Sequence, residues 1–237
     1  MISQESMKPK CFPQFYGYFI EEEKGHHRIY NLCFNYLPNS LSSYIKELRE
    51  SEQMIDPQLL INFFDSLING MAFLQGMGIC HRDLKPNNIL LDETKKNLTI
   101  IDFGASKNIH QALVQSTQSK INITVIGTKK YASPEILRCF MANDEEIITN
   151  LMITAGGTGY LKVMNPYKSD AFSFGLIIFE LWKLMRINNA QKQEEFDLTL
   201  IDLKKKVKEE IIEPKIKRKL MLIINILAKC LIIDPDK

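Results

Sequence analysis

The sequence predicts an α+β fold in which a short antiparallel-strand region precedes a mainly helical one. Three observations carry that prediction. Near the start, Phe12–Ile20 and Arg28–Leu37 are rich in aromatic, β-branched and long apolar residues. They flank the charged stretch Glu21–His27, the pattern of two strands joined by a solvated turn. From Asp56 onward, Leu60, Phe63, Phe64, Leu67, Ile68, Met71 and Leu74 recur at spacings of three and four, the stripe of a helix with one wide buried face. Further on, the apolar runs Ile89–Leu91 and Leu98–Ile101 surround the turn formers Asp92–Asn97, which predicts a small hairpin.

The remaining elements follow in order. Residues 1–10 are polar and aperiodic, a frayed end. Pro38–Ser43 punctuates the chain and Leu41–Leu48 reads as a short helix. Asp56 as N-cap and Pro57 in the first turn open the long helix, which ends at Gly76 and Gly78. Phe174–Met185 is apolar on nearly all sides, as a fully buried helix is. Lysines in Asp202–Lys219 alternate with Glu209, Glu210 and Glu213, a solvated helical face, and Leu220–Ile233 is a further helix closed by Asp234-Pro235.

Composition excludes several classes. At 237 residues, 45% hydrophobic and 24% charged, the chain has the make-up of an ordinary globular protein, and a net charge of +2 offers no electrostatic case for nucleic acid or anionic lipid. The five cysteines, Cys11, Cys33, Cys80, Cys139 and Cys230, are scattered, which argues against a disulfide framework or zinc site and fits a reducing compartment. The longest apolar run is interrupted by Asn225 and Lys229 and is too short to span a bilayer. The expectation is a cytoplasmic or nuclear protein. His26 and His27 are adjacent on the charged turn with no third ligand near, so they read as solvated rather than as a metal pair.

The stretch that carries chemistry runs from His81 to Gly104. A hairpin holds both of its ends at one edge, so Asp83 and Asn88, which precede it, and Asp102, which follows it, are expected to converge. Two carboxylates, the Asn88 amide and the Lys85 ammonium in one cleft suit a reaction that gathers negative charge. In phosphoryl transfer a divalent metal bridges phosphates, one carboxylate orients the attacking hydroxyl, and a lysine offsets charge on the moving group.

At these residues a resemblance can be named. His81-Arg82-Asp83-Leu84-Lys85-Pro86-Asn87-Asn88, with Asp102-Phe103-Gly104 beyond the hairpin, resembles the catalytic loop and metal-binding turn of the eukaryotic protein kinases. The resemblance implies a protein-kinase-like fold. Residues 1–37 would be a partial N-terminal lobe, its last two strands and hinge, and 38–237 a helical C-terminal lobe with an insertion near 141–160. It also implies transfer of the ATP γ-phosphate to a protein hydroxyl with Mg²⁺. Asp83 would be the catalytic base, Asn88 and Asp102 the Mg²⁺ ligands, and Lys85 the contact to the transferred phosphate, a lysine typical of the serine/threonine branch. Thr128, in Gly127-Thr128-Lys129-Lys130-Tyr131-Ala132-Ser133-Pro134-Glu135, would hydrogen-bond Asp83 and Lys85 within a substrate-binding loop. Phe34 would be the gatekeeper, Asn35 to Leu37 the hinge that meets adenine, and Leu90 a further wall of the nucleotide site. Arg82 would dock a phosphorylated activation segment, where Ser106, Ser116, Thr117, Ser119 and Thr124 are candidates. Asp170, in Asp170-Ala171-Phe172-Ser173-Phe174-Gly175, would accept hydrogen bonds from the catalytic-loop backbone.

The sequence departs from the family in four respects. Ser133 and Phe172 stand where alanine and tryptophan are usual. The gap from Glu135 to Asp170 is longer than usual by roughly twenty residues, which places an insertion near Met141–Tyr160. Gly156-Gly157-Thr158-Gly159 inside it lacks the strand-to-helix context of a phosphate loop and reads as a flexible loop. No glycine-rich loop precedes Phe12 and no strand lysine with a helix glutamate is present, and the arginine expected to pair with Glu135 would fall at position 238. A fragment or truncated gene model of a longer kinase is the expectation. Two rivals are a pseudokinase acting as a docking or scaffold module, which retention of both metal ligands opposes, and a small-molecule kinase, which the Gly127–Glu135 segment opposes.

Overall fold

The computed structural model describes residues 9–23, 27–109, 111, 123–142, 146–147, 165–182, 193–211 and 213–232. His26, Ser116, Thr117, Ser119, most of 141–160 with its glycine cluster, and Asp234-Pro235 lie outside these.

Strands β1 (Phe15–Glu23) and β2 (His27–Phe34) pair antiparallel, Phe15 opposite Phe34 and Glu22 opposite Arg28. Both strands run further into the charged stretch than the sequence indicates, and the cross-strand partners Arg28 and Glu22 lie 3.6 Å apart there. Charge does not interrupt a ribbon whose edges face water. Phe12–Gln14 and Asn35–Leu37, expected to be strand, are not. Phe15, Tyr16, Tyr18, Phe19, Tyr30 and Leu32 are all exposed, so apolar side chains project from both faces of the ribbon.

After the ribbon the chain forms β3 (Asn39–Ser40) and enters α1 (Leu41–Glu50) through a reciprocal cap. The Ser40 hydroxyl accepts from the Ser43 amide at 3.0 Å, and the Ser43 hydroxyl accepts from the Ser40 amide at 3.1 Å. Helix α2 (Pro57–Gly76) starts as the sequence predicts, with Asp56 accepting from the Leu59 amide at 2.9 Å and Pro57 in the first turn. Strand β4 (Ile79–Cys80) leads into the His81–Asn88 segment. The hairpin follows as β5 (Ile89–Leu91) and β6 (Leu98–Ile100), and then comes β7 (Lys107–Asn108), which pairs with β4. One sheet has the order β3-β5-β6. Strand β8 (Ile123–Thr124) pairs with β9 (Glu146–Ile147) on either side of α3 (Pro134–Ala142).

The core lies where α4 (Pro166–Leu181) packs against α2 and α6 (Pro214–Cys230), with α5 (Gln193–Glu210) against α6. Phe63, Leu67, Ile177, Phe179, Ile223 and Leu227 are all buried there. Helix α4 begins eight residues before the apolar run predicts, because Asn165 caps it and Pro166 fits the first turn. The lysine-rich face predicted over Asp202–Lys219 is divided between two helices: Pro214, which cannot continue a helix, starts α6. Lys219 there is not simply solvated, since its ammonium sits 2.7 and 2.8 Å from the Asp65 carboxylate oxygens on α2. Cys11 is seated on α2 where only glycine leaves room, since a Cβ on Gly70 would lie 2.7 Å from its sulfur. Its carbonyl accepts from Ile100 at 2.8 Å, which fixes the outer edge of the hairpin.

The core makes a quantitative prediction. Ile177→Ala, at a fully buried position on α4, is expected to cost about 2–5 kcal/mol in denaturant unfolding. Ile201→Ala, at a position 60% exposed on α5, should stay within about 0.5 kcal/mol of wild type. Equal losses would place the core elsewhere.

Candidate active site

The hairpin brings its two ends together through the backbone. The Ile101 amide donates to the Asn88 carbonyl at 2.9 Å, which sets Asp102 beside Asn88. Pro86–Asn88 form a single 3-10 turn, with the Asn88 amide bonded to the Lys85 carbonyl at 2.9 Å. That turn folds Asn88 back toward Asp83. The Asn88 side-chain amide donates to the Asp83 carbonyl at 2.9 Å and to its carboxylate Oδ2 at 3.2 Å.

Three more polar groups meet at the same carboxylate. Lys85 Nζ is 2.6 Å from Asp83 Oδ2 and 2.9 Å from Thr128 Oγ1, and Thr128 donates to Asp83 Oδ1 at 2.8 Å. Both acidic and basic side chains are largely buried, at 15% and 22% exposure. Asp83, Lys85, Asn88 and Thr128 therefore form one hydrogen-bonded cluster. Asp102, two residues beyond the end of β6, is exposed, and its Oδ1 accepts the Gly104 amide at 3.3 Å.

The loop before Asp83 is held from below. Asp170, at the start of α4 and buried, accepts the His81 amide at 2.7 Å and the Arg82 amide at 2.8 Å, the bonds expected of it. Burial pushes its carboxyl pKa up, and the two amides and the neighbouring His81 and Arg82 pull against that shift. Arg82 has a left-handed backbone, φ +67°, and its guanidinium Nε donates to the Ala105 carbonyl at 2.6 Å. Asp102 is also left-handed, φ +63°. Gly127 satisfies two demands that only glycine meets: its φ is +127°, and a Cβ there would lie 2.9 Å from the Arg82 carbonyl oxygen. That contact presses the Thr128 segment onto the loop.

Aromatic packing supports the Asp102 turn. Phe103 lies 5.2 Å from the His81 ring and 6.1 Å from Phe12, which in turn lies 5.6 Å from Phe73 on α2. His81 Nε2 is 3.0 Å from the Ile101 carbonyl, an acceptor, so Nε2 carries the proton. Neither contact has a local sequence signal, because both link residues twenty or more positions apart.

The residues expected to meet adenine are spread over the end of β2, the chain after it and β5. Phe34 ends β2 and packs on Phe15 at 5.4 Å, and Asn35 is tied to Gln14 through its amide at 3.1 Å and its side-chain oxygen at 2.8 Å. Leu37 and Leu90 are half-buried, and the register Ser40 opposite Leu90 runs the chain after Leu37 directly alongside β5. Ser133, where alanine is usual, finds a partner in Ser169, 2.9 Å away.

The family model described as protein kinase domain matches residues 14–237. The chain belongs to the protein kinase domain family. Among similar proteins are a probable serine/threonine-protein kinase of Dictyostelium discoideum, 27% identical over 152 residues, 64% of this chain and 29% of that one. Cyclin-dependent kinase B2-1 of Oryza sativa subsp. japonica is 26% identical over 174 residues, 71% of this chain and 52% of that one. Probable serine/threonine-protein kinase roco8 of Dictyostelium discoideum is 31% identical over 163 residues, 65% of this chain and 7% of that one. The chain thus matches about half or less of the length of these relatives.

A second polar centre in this kinase domain escaped the sequence reading. Glu180, within the apolar run of α4, has a side chain only 2% exposed. Its Oε1 receives Arg49 of α1 at 2.6 Å and Lys130 at 2.8 Å, and its Oε2 receives the Tyr131 hydroxyl at 2.5 Å. An acid inside a buried apolar helix requires partners, and that was the signal available. Burial alone would raise the Glu180 pKa, but hydrogen bonds from Lys130, Tyr131 and Arg49 outweigh it and hold the carboxyl below its ordinary 4.5.

A carboxyl held low in the folded state adds stability above its unfolded pKa, and that stability is lost as pH falls through the folded value. Glu180→Gln is accordingly expected to destabilise the domain at pH 7 by about 1.5–3 kcal/mol, the scale of hydrogen bonds to a charged group. The gap from wild type should narrow below about pH 4.5 in pH-dependent thermal unfolding. A gap that is constant with pH would show that the charge is not what matters.

Proposed function

We propose that the chain is the catalytic part of a serine/threonine protein kinase that transfers the γ-phosphate of ATP to a protein hydroxyl. The observation that carries the reading is the single hydrogen-bonded cluster of Asp83, Lys85, Asn88 and Thr128, with Asp102 beside it across the hairpin. Asp83 aims the accepting hydroxyl and takes its proton as the oxygen attacks the γ-phosphorus and ADP leaves. Lys85 stands beside that carboxylate and meets the charge on the phosphoryl oxygens. Thr128 ties the substrate loop to both and favours a serine or threonine acceptor.

The donor set fits Mg²⁺. Asn88 uses its amide hydrogens on Asp83, which leaves its Oδ1 as an acceptor, and the exposed Asp102 carboxylate adds hard anionic oxygen. Among the described residues no group of three His, Cys, Asp or Glu side chains converges to hold a metal. Mg²⁺ takes one or two side-chain ligands and completes its octahedron with waters and phosphate oxygens. Bound there, it would neutralise charge across the β- and γ-phosphates. Phe34, the backbone of Asn35 to Leu37 and Leu90 would enclose adenine, and Arg82 would dock a phosphorylated segment. Residues 1–37 would belong to the N-terminal lobe and 38–237 to the C-terminal lobe. The five scattered cysteines, none in a disulfide among the described residues, support a reducing compartment such as the cytoplasm, and among the described residues no helix is long and apolar enough to cross a membrane.

Asp83→Asn is expected to lower phosphate transfer to a generic serine/threonine substrate by roughly 10²-fold or more, the scale of general-base catalysis. Asp102→Asn should abolish the Mg²⁺-dependent part of the rise in melting temperature that ATP produces. Undiminished transfer by the Asp83 variant would remove the proposed base.

A further inference from the structure

Two residues after Thr128, the loop meets a carboxylate that already holds three donors and is closed to solvent. Glu180 takes Arg49 and Lys130 on one oxygen and Tyr131 on the other, with its side chain 2% exposed. A substrate arginine or lysine could reach it only by displacing a resident cation. The residents also outnumber it. The Arg49 and Lys130 side chains are 41% and 43% exposed, so each keeps a face toward solvent. Lys129 adds a third cation on the same turn, its ammonium 5.7 Å above the Phe140 ring. Among the described residues of this cluster, one buried carboxylate stands against three cations, which makes this end of the loop positive.

The position relative to the chemistry is fixed by the chain itself. Thr128 donates to Asp83 at 2.8 Å, and Lys130 is two residues further along. An extended substrate advances about 3.3 Å per residue. With its accepting hydroxyl at Asp83, side chains two or three residues away come within reach of Lys130 and Arg49, whose long stems let the charged heads follow.

We propose that the site selects protein substrates carrying an anionic side chain, a carboxylate or a phosphate, within three residues of the accepting hydroxyl. Lys130 and Arg49 read that anion directly, Lys129 strengthens the field, and Glu180 positions the readers by holding each of them through a single oxygen. This rests on the reading of Asp83 as the group that receives the acceptor hydroxyl. Attraction for an acidic peptide and repulsion of a basic one act together, so selectivity exceeds what one exposed ion pair delivers.

The test is a set of serine-acceptor peptides with aspartate, glutamate, phosphoserine, alanine or arginine fixed at each of three positions on either side. They are phosphorylated by the full chain and by Lys130→Glu and Lys130→Gln, with melting temperatures measured to confirm folding. Wild type should prefer acidic over arginine peptides by roughly tenfold in kcat/KM at the reading position, and the ratio should fall as salt rises. Phosphoserine should match or exceed aspartate, since it carries the larger negative charge. Lys130→Gln should reduce the acid-to-base ratio and Lys130→Glu should reduce it further or invert it. The ratio is internal to each variant, so partial loss of folded protein does not move it. Equal use of acidic and basic peptides by wild type, or a ratio unchanged in both variants, overturns the inference while leaving the kinase reading intact. No phosphorylation of any peptide overturns the kinase reading, and the inference with it.

Discussion

The active-site geometry depends on one interaction, the Asp170 carboxylate against the backbone amides of His81 and Arg82. Arg82 occupies a left-handed conformation, which costs a side-chain-bearing residue about 1–2 kcal/mol. Two charge-assisted bonds from a buried carboxylate offset that cost and satisfy amides that would otherwise be buried without partners. With Arg82 turned this way, Asp83 faces the Asn88 turn and the Thr128 loop rather than the helix beneath. Two of the four left-handed non-glycine residues among those described lie at the site: Arg82 and Asp102 flank the hairpin, and Gly127 fits against the carbonyl that the Arg82 turn presents.

Helix α4 links this pin to a second one. Asp170 and Glu180 are ten residues apart on it, and at 1.5 Å per residue their backbones are separated by about 15 Å. The first holds the loop that ends in Asp83. The second holds Lys130 and Tyr131, the far end of the loop that begins at Gly127, and also Arg49 of α1. A buried helix therefore spaces the Asp83 cluster from the Lys130–Tyr131 end of the loop. Their registration does not rely on the short strands, several of which are only two residues long. Both carboxylates are buried charges, costly alone and tolerable because each is met by donors on the elements it positions.

What the sequence made legible is what is decided locally. The Asp56-Pro57 start of α2 and the hairpin around Asp92–Asn97 rest on residues within a few positions of each other, and the expectation that Asp83, Asn88 and Asp102 face one edge follows from that hairpin. The Glu180 centre joins residues 131, 50 and 49 positions apart, and inside an apolar run it looks like one more buried turn of helix. The strands extend into the charged stretch because in an open ribbon Glu22 and Arg28 face each other across the ladder, where charge stays solvated. Pro214 divides the lysine-rich region between two helices, a backbone constraint that its composition hides. In each case the missing information was a partner distant in the sequence or a backbone constraint outweighed by composition.

The donors already present at Asp83 constrain how a hydroxyl can approach it. A carboxylate offers about four acceptor positions. Lys85 and Asn88 use both on Oδ2, and Thr128 uses one on Oδ1. The position left is on Oδ1, next to the Thr128 hydroxyl. A substrate hydroxyl that bonds there must therefore lie against the Gly127–Lys130 turn, with its neighbouring residues along the loop that Glu180 anchors. If Asp83 receives the acceptor hydroxyl as proposed, the open position on Oδ1 would set the direction of attack and also bring the flanking sequence of the substrate toward Lys130 and Arg49.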